Sequence, residues 1–188
     1  MIDRREFVRE LLLDRGDLSV VPGLGSATYD VAAAGDHPLN FYLWGAMGGT
    51  AMIGLGLALA RPDRRVAVIT GDGDMLMGLG SLATIGVKQP KNLAVVVLDN
   101  ARYGETGMQP SATAAGIDLV AMALACRFRA AQAVSRGDEA SEVRTLLHNA
   151  EGPILINARI DAVDTPRVLP LRDGHTIKQR FIDALNSA

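Results

Sequence analysis

Short apolar runs alternate with helix-length amphipathic stretches along most of this chain. Val66–Thr70 reads VAVIT, between Asp63-Arg64-Arg65 and Gly71, and Leu93–Leu98 reads LAVVVL. Such unbroken β-branched runs are how parallel strands read when both faces are buried. Further strands are predicted at Leu18–Val21, Asn40–Trp44, Arg129–Val134 and Pro153–Ile160. Helices are predicted over residues 3–15, 27–34, 50–60, 75–85, 117–126, 139–149 and 175–185. The first places Phe7, Leu11 and Leu12 on one side, and Pro62 stops the third. Ser26 is a candidate cap for the second, and Ser135 or Asp138 lies near the start of the sixth. Strands alternating with helices predict an α/β fold, a doubly wound parallel sheet of about six strands. Residues 1–188 read as one domain.

The two central runs end alike. Val66–Thr70 stops in Gly71-Asp72-Gly73-Asp74, and Leu93–Leu98 stops in Asp99-Asn100. Each strand therefore delivers an oxygen-bearing side chain to the carboxyl edge of the sheet, the edge where open α/β sheets bind ligands. Glycines on both sides of Asp72 allow a sharp turn and a close backbone approach. Gly73 and Asp74 fall near a helix N-terminus, where free amides and the helix dipole favour a phosphate. Asp72 and Asn100 are hard oxygen ligands of the kind Mg²⁺ takes beside substrate phosphates and water. This predicts a Mg²⁺–diphosphate site. No Gly-Lys-Ser/Thr follows, so it is not a P-loop, and the dinucleotide GxGxxG is absent.

Composition narrows the partners. A formal net charge of −2 gives no reason to expect nucleic acid or an anionic membrane. The single cysteine, Cys126, permits no internal disulfide and fits a reducing, cytoplasmic compartment; it reads as a core residue. The N-terminus is charged and lacks a continuous apolar region, so no export signal is expected. The apolar run 46–60 is too short and too glycine-rich to span a bilayer. His37, His148 and His175 have no metal-site spacing. His148 falls at a helix end, where a cationic imidazole is welcome. His37 precedes the strand at Asn40 and is the histidine nearest the expected cleft.

Gly71-Asp72-Gly73, the spacer, and Asn100 followed by Tyr103-Gly104 together resemble the thiamine diphosphate motif, which begins GDG and ends in a paired Asn. Here the pair is Asp99-Asn100, a departure at its first position. The resemblance implies thiamine diphosphate and Mg²⁺ as cofactors. It implies a metal held by Asp72, by the Asn100 side chain and by the main-chain carbonyl of Arg102, with Gly71, Gly73, Asp74, Tyr103 and Gly104 around the cofactor. Asp74 departs from the small residue common after GDG. Its side chain must point away from the diphosphate or act through the metal's waters. Gly45-Ala46-Met47-Gly48 resembles the loop that places a large apolar side chain under the bent cofactor in thiamine decarboxylases. By that resemblance Met47 is the prop, the Gly45 carbonyl accepts from the pyrimidine amino group, and Ala46 and Met47 face the ring. The resemblance also turns the first βα loop toward this cleft, which makes Gly25 and Ser26 candidate ligand contacts beside their commoner reading as turn and cap. Glu105 sits in the polar loop 101–113, either as an acid/base group or, more commonly for such a position, as an exposed carboxylate.

Within this family Gly45-Ala46-Met47-Gly48, the GSLATIG run at 80–86 and the DNxxYGETGxQ run at 99–109 look most like sulfopyruvate decarboxylase β subunits and the two-domain phosphonopyruvate decarboxylases. That implies loss of CO₂ from a small anionic 2-oxo acid to give an aldehyde. The family also needs a glutamate on the pyrimidine nitrogen, supplied by a separate domain of similar size, and the chain has no room for one. The resemblance therefore implies a pyrimidine-domain (α) partner subunit, in an α2β2 or larger assembly. Two other classes share the metal site: another split thiamine enzyme of the acetolactate-synthase or 2-oxo acid oxidoreductase type, and a non-catalytic cofactor-binding regulatory subunit. The lack of cysteine clusters argues against an iron–sulfur oxidoreductase.

Overall fold

A computed structural model describes residues 1–187. Among the described residues, a five-stranded sheet runs in the order β1 (Ser19–Pro22), β2 (Val66–Gly71), β3 (Leu93–Asp99), β7 (Ile154–Arg159), β6 (Ala130–Val134). Each neighbouring pair is parallel. The registers Gly71↔Leu98 and Asp99↔Arg159 bring the tips of β2, β3 and β7 to one level. A short antiparallel pair, β4 (Arg102–Tyr103) and β5 (Gln109–Pro110), stands beyond β3.

Period-two alternation splits the strand side chains between two layers. On one face Val20, Ile69, Val96 and Ile156 pack under α1 (Arg4–Leu11), α2 (Ser26–Ala33) and α7 (Ala140–Asn149), through Phe7, Leu11, Val31, Val143 and Leu147. On the other, Val68, Val95, Val97 and Leu155 meet Leu55 of α3 (Thr50–Ala60), Ile85 of α5 (Ser81–Lys88) and Leu119 of α6 (Leu119–Ala125). Burying each such aliphatic side chain contributes about 1.5–3 kcal/mol. The final helix, α8 (Gly174–Asn186), packs Phe181 and Leu185 against Leu39.

The doubly wound α/β class holds, with five strands in place of about six. The predicted strand at Asn40–Trp44 makes one parallel bridge, Val20↔Asn40, and then leaves. Val20 N–H donates to the Leu39 carbonyl and Phe41 N–H to the Val20 carbonyl, so the segment covers the open edge of β1 without extending the sheet. Tyr42 turns inward, and its hydroxyl donates to Asp36 and accepts from Asn40.

The helix predicted over 75–85 is two helices, α4 (Asp72–Met77) and α5, separated at Gly78-Leu79-Gly80. The cause is the loop 45–49. A Cβ on Gly78 would stand 2.0 Å from the Gly48 carbonyl oxygen, so only glycine admits that loop here. Ser26 does not cap α2; Gly25 occupies the cap position with φ +73 and no side-chain bond. The capping near residue 139 comes from Glu139 itself, whose carboxylate accepts from the Ser135 and Arg136 amides.

Candidate active site

The tips of β2 and β3 meet with Asp72 between them. Asp72 opens α4 and is only 1% exposed. Its carboxylate accepts from its own amide and from the main-chain amide of Asn100, which ties the two tips together. Its Oδ2 also accepts from Ser111 Oγ at 2.5 Å. Burial pushes the carboxyl above the ordinary carboxylate range; the Ser111 hydrogen bond opposes this and the neighbouring Asp99 charge adds to it.

Asp99, the residue that departs from the paired-Asn pattern, is buried and saturated. Its Oδ1 accepts from the Ala101 amide at 3.0 Å and from Thr113 Oγ1 at 2.8 Å. Its Oδ2 accepts from Asn157 at 3.0 Å and pairs with Arg159 at 2.8 Å. Asn100 is held beside it: its Oδ1 accepts from the Arg102 amide at 2.9 Å, across an Ala101 with φ +58. The two bonds turn the chain sharply enough to carry Asn100 and Arg102 to the same cleft.

That cleft encloses about 160 Å³ and gathers most of the predicted positions. Gly71, Asp72, Gly73, Asp74 and Asn100 form its strand-tip side; Arg102, Tyr103, Gly104 and Glu105 form the loop side; Met47 faces it from a third element. Gly45 and Ala46 do not line it. They lie exposed in the turn before Met47, which is closed by Gly49 N–H donating to the Ala46 carbonyl. Gly73 is the crossing point. A Cβ there would lie 2.6 Å from the Tyr103 ring and 3.5 Å from Met47 Cε, so ring and thioether converge on the GDG backbone.

Asp74 points away from the Asp72 side of the cleft. One of its oxygens accepts from the Gly48 amide and the other from the Thr70 hydroxyl, both in very short contacts. It therefore straps the Met47 loop to the tip of β2. The extra carboxylate in Gly-Asp-Gly-Asp was visible in the sequence; the donors it binds come from 26 residues upstream and from inside a strand.

Glu105 reaches toward α2. A Cβ on Gly25 would stand 2.7 Å from Glu105 Oε1, Ser26 Oγ lies 3.4 Å from that oxygen, and Arg167 lies 3.8 Å from Oε2. Sequence reasoning missed Arg4. Its nearly buried guanidinium pairs with Asp30, donates to Thr165 at 2.8 Å and lines the cleft. An arginine in the first turn of a surface helix gives no sequence signal of this. His37 bonds Arg15 and the Leu39 amide, away from the cleft. Cys126 is half-buried beyond α6.

The donor set can be tested against a divalent cation. Among the described residues, no group of three His, Cys, Asp or Glu side chains is placed to hold one. Asp72 brings a buried carboxylate and Asn100 an amide oxygen to the cleft that Arg102 also lines, and these are hard donors of the kind Mg²⁺ takes beside phosphate oxygens. The residues fit that group.

Residues 23–158 match the thiamine pyrophosphate enzyme C-terminal TPP binding domain, and the chain belongs to that family. It is 40% identical to a phosphonopyruvate decarboxylase of Streptomyces viridochromogenes, over 82% of this chain and 40% of that protein. It is 32% identical to sulfopyruvate decarboxylase subunit beta of Methanocaldococcus jannaschii, over 97% of this chain and 96% of that one. The counterpart from Methanothermobacter thermautotrophicus is 35% identical, over 100% and 98%. The chain thus spans two fifths of the phosphonopyruvate enzyme and nearly all of the beta subunits. Benzoylformate decarboxylase from Polynucleobacter necessarius shares the fold, with a TM-score of 0.73 at 20% identity over 87% of this chain and 34% of that one. No helix among the described residues is long and apolar enough to cross a membrane.

Proposed function

We propose that the chain is the diphosphate-binding subunit of a thiamine diphosphate- and Mg²⁺-dependent decarboxylase. The substrate is sulfopyruvate or a similar three-carbon anionic 2-oxo acid, and the products are the aldehyde and CO₂. The observation that carries this is the similarity to sulfopyruvate decarboxylase beta subunits, 32% and 35% identical over 96% and 98% of their length. A pyrimidine-domain subunit then brings the glutamate that acts on the pyrimidine nitrogen. Exposed methionines around the cleft support such a partner: Met47 at 38%, Met108 at 41% and Met77 at 61%.

Bound thiamine diphosphate supplies the nucleophilic carbon and the electron sink for loss of CO₂. This chain's part is holding and shaping. Asp72, the Asn100 amide oxygen and the Arg102 carbonyl would hold the metal, which would supply positive charge against the diphosphate. Gly73 and the first turn of α4 would offer main-chain amides to the phosphate. Met47, in the loop that Asp74 straps to β2, would lie against the cofactor. Tyr103, Gly104 and Glu105 would flank the cofactor on the loop side. Arg102, exposed on the loop side of the cleft, would offer a cation to the acid's anionic head.

The test is co-expression with a pyrimidine-domain chain, co-purification, and assay of the complex on a panel of 2-oxo acids. CO₂ release from sulfopyruvate by the complex, and none by this chain alone, is the expected result. Full turnover by the isolated chain contradicts the division of labour.

A further inference from the structure

Two carboxylates, Asp72 and Asp99, are buried side by side at the tips of neighbouring strands, and each needs hydrogen-bond donors to remain charged there. Asp99 has Arg159, Asn157 and the Ala101 amide. Among the described residues, no cation pairs with Asp72. What joins the pair is a single short segment from the far end of the 101–113 loop. Ser111 Oγ lies 2.5 Å from Asp72 Oδ2, Thr113 Oγ1 lies 2.8 Å from Asp99 Oδ1, and the two hydroxyls are 2.9 Å apart. Thr113 Oγ1 is also 3.3 Å from Asp72 Oδ2. Both side chains are almost wholly buried. Each hydroxyl has one proton to give. The shortest contacts assign the Ser111 proton to Asp72 and the Thr113 proton to Asp99.

The segment is itself anchored to the Asn100 turn, because Ser111 N–H donates to the Ala101 carbonyl at 3.0 Å. One loop therefore controls both tips. Its start presents Asn100 and Arg102, and its end grips Asp72 through an oxygen that is then unavailable to rotate. Neither hydroxyl touches Oδ1 of Asp72.

Resting on the metal assignment above, we propose that Ser111 and Thr113 are positioning residues, a hydroxyl clamp that fixes the Asp72 carboxylate with Oδ1 toward the cation and locks it to the Asn100 turn. Ser111 acts on Asp72 directly. Thr113 acts through Asp99 and through Ser111. Their removal lowers metal affinity without removing a ligand, which is how hydrogen-bond partners of metal ligands behave.

The experiment is Mn²⁺ titration by electron paramagnetic resonance, at saturating thiamine diphosphate, on the full chain in its co-purified assembly. Parent, Ser111→Ala, Thr113→Val and Thr113→Ser are compared. Ser111→Ala and Thr113→Val are expected to bind Mn²⁺ roughly 10- to 100-fold more weakly. Thr113→Ser, which keeps the hydroxyl, is expected to stay within about threefold of the parent by the same reasoning. A merely structural role would lower the melting temperature with and without metal alike and leave the Mn²⁺ dissociation constant unmoved. If Ser111→Ala does not fold, Ser111→Cys, a weak donor of similar shape, gives the same comparison. Unchanged Mn²⁺ affinity in the hydroxyl-free variants overturns the clamp and leaves the metal assignment standing. A parent that binds no Mn²⁺ with the cofactor overturns both.

Discussion

Replacing Asp74 isolates the strap between the GDG turn and the Met47 loop. The side chain is buried and occupied at both oxygens, by the Gly48 amide and the Thr70 hydroxyl. In Asp74→Ala both donors lose their acceptor. Thr70 is fully buried and Gly48 half-buried, so water can replace the carboxylate at Gly48 more readily than at Thr70. An abandoned buried donor costs about 1–3 kcal/mol; counting Thr70 near the upper figure and Gly48 near the lower gives about 3–4 kcal/mol. For a chain of this length that corresponds to a drop of roughly 6–16 °C in melting temperature. Asp74→Asn is the control. Its oxygen still accepts from Gly48 and its amide can donate to the Thr70 oxygen after the hydroxyl rotates, so the expected loss is about 1 kcal/mol. Urea unfolding of parent and both variants, without cofactor, measures this directly. A loss below about 1 kcal/mol in Asp74→Ala, or equal losses in the two variants, refutes the strap.

Gly73→Ala should drive its new methyl into the Tyr103 ring, displacing the loop and lowering stability; adding Tyr103→Ala should recover most of that loss, as denaturant midpoints would show. His148 is expected to lower stability in acid. Burial and the nearby Arg144 and Arg65 hold its folded-state value below the usual 6.5, and its buried Nε2 has no partner. The unfolded chain therefore takes up the proton first as pH falls, and stability present above pH 6.5 is lost toward the folded-state value. Melting curves at pH 7.5 and 5.5 should differ less for His148→Gln than for the parent, and an equal or larger difference contradicts the assignment.

The strand tips were legible in the sequence because their signal is local. An apolar run followed by Gly71-Asp72-Gly73, and another followed by Asp99-Asn100, state both the strand and the polar side chains at its tip. At the end of α7 local reasoning read the helix dipole that favours a cationic His148; the burial and the charge of Arg65, brought by another element, and of Arg144, one turn earlier on the same helix, oppose that charge. The missing sixth strand has a similar cause, since residues 40–44 have strand composition but a tertiary role in covering an edge. The broken helix at Gly78 depends on contact with Gly48, thirty residues earlier in the chain. Ser111 and Thr113 read as ordinary loop polar residues until the fold carries them under two carboxylates.

The central claim is that Asp72 and Asn100 hold a divalent cation bridging the diphosphate. Calorimetric titration of thiamine diphosphate into the assembled complex, with and without Mg²⁺, tests it most directly when Asp72→Ala is run beside the parent. The account predicts Mg²⁺-dependent binding in the parent and its abolition in Asp72→Ala. Unchanged affinity in that variant, or parent binding indifferent to Mg²⁺, contradicts it.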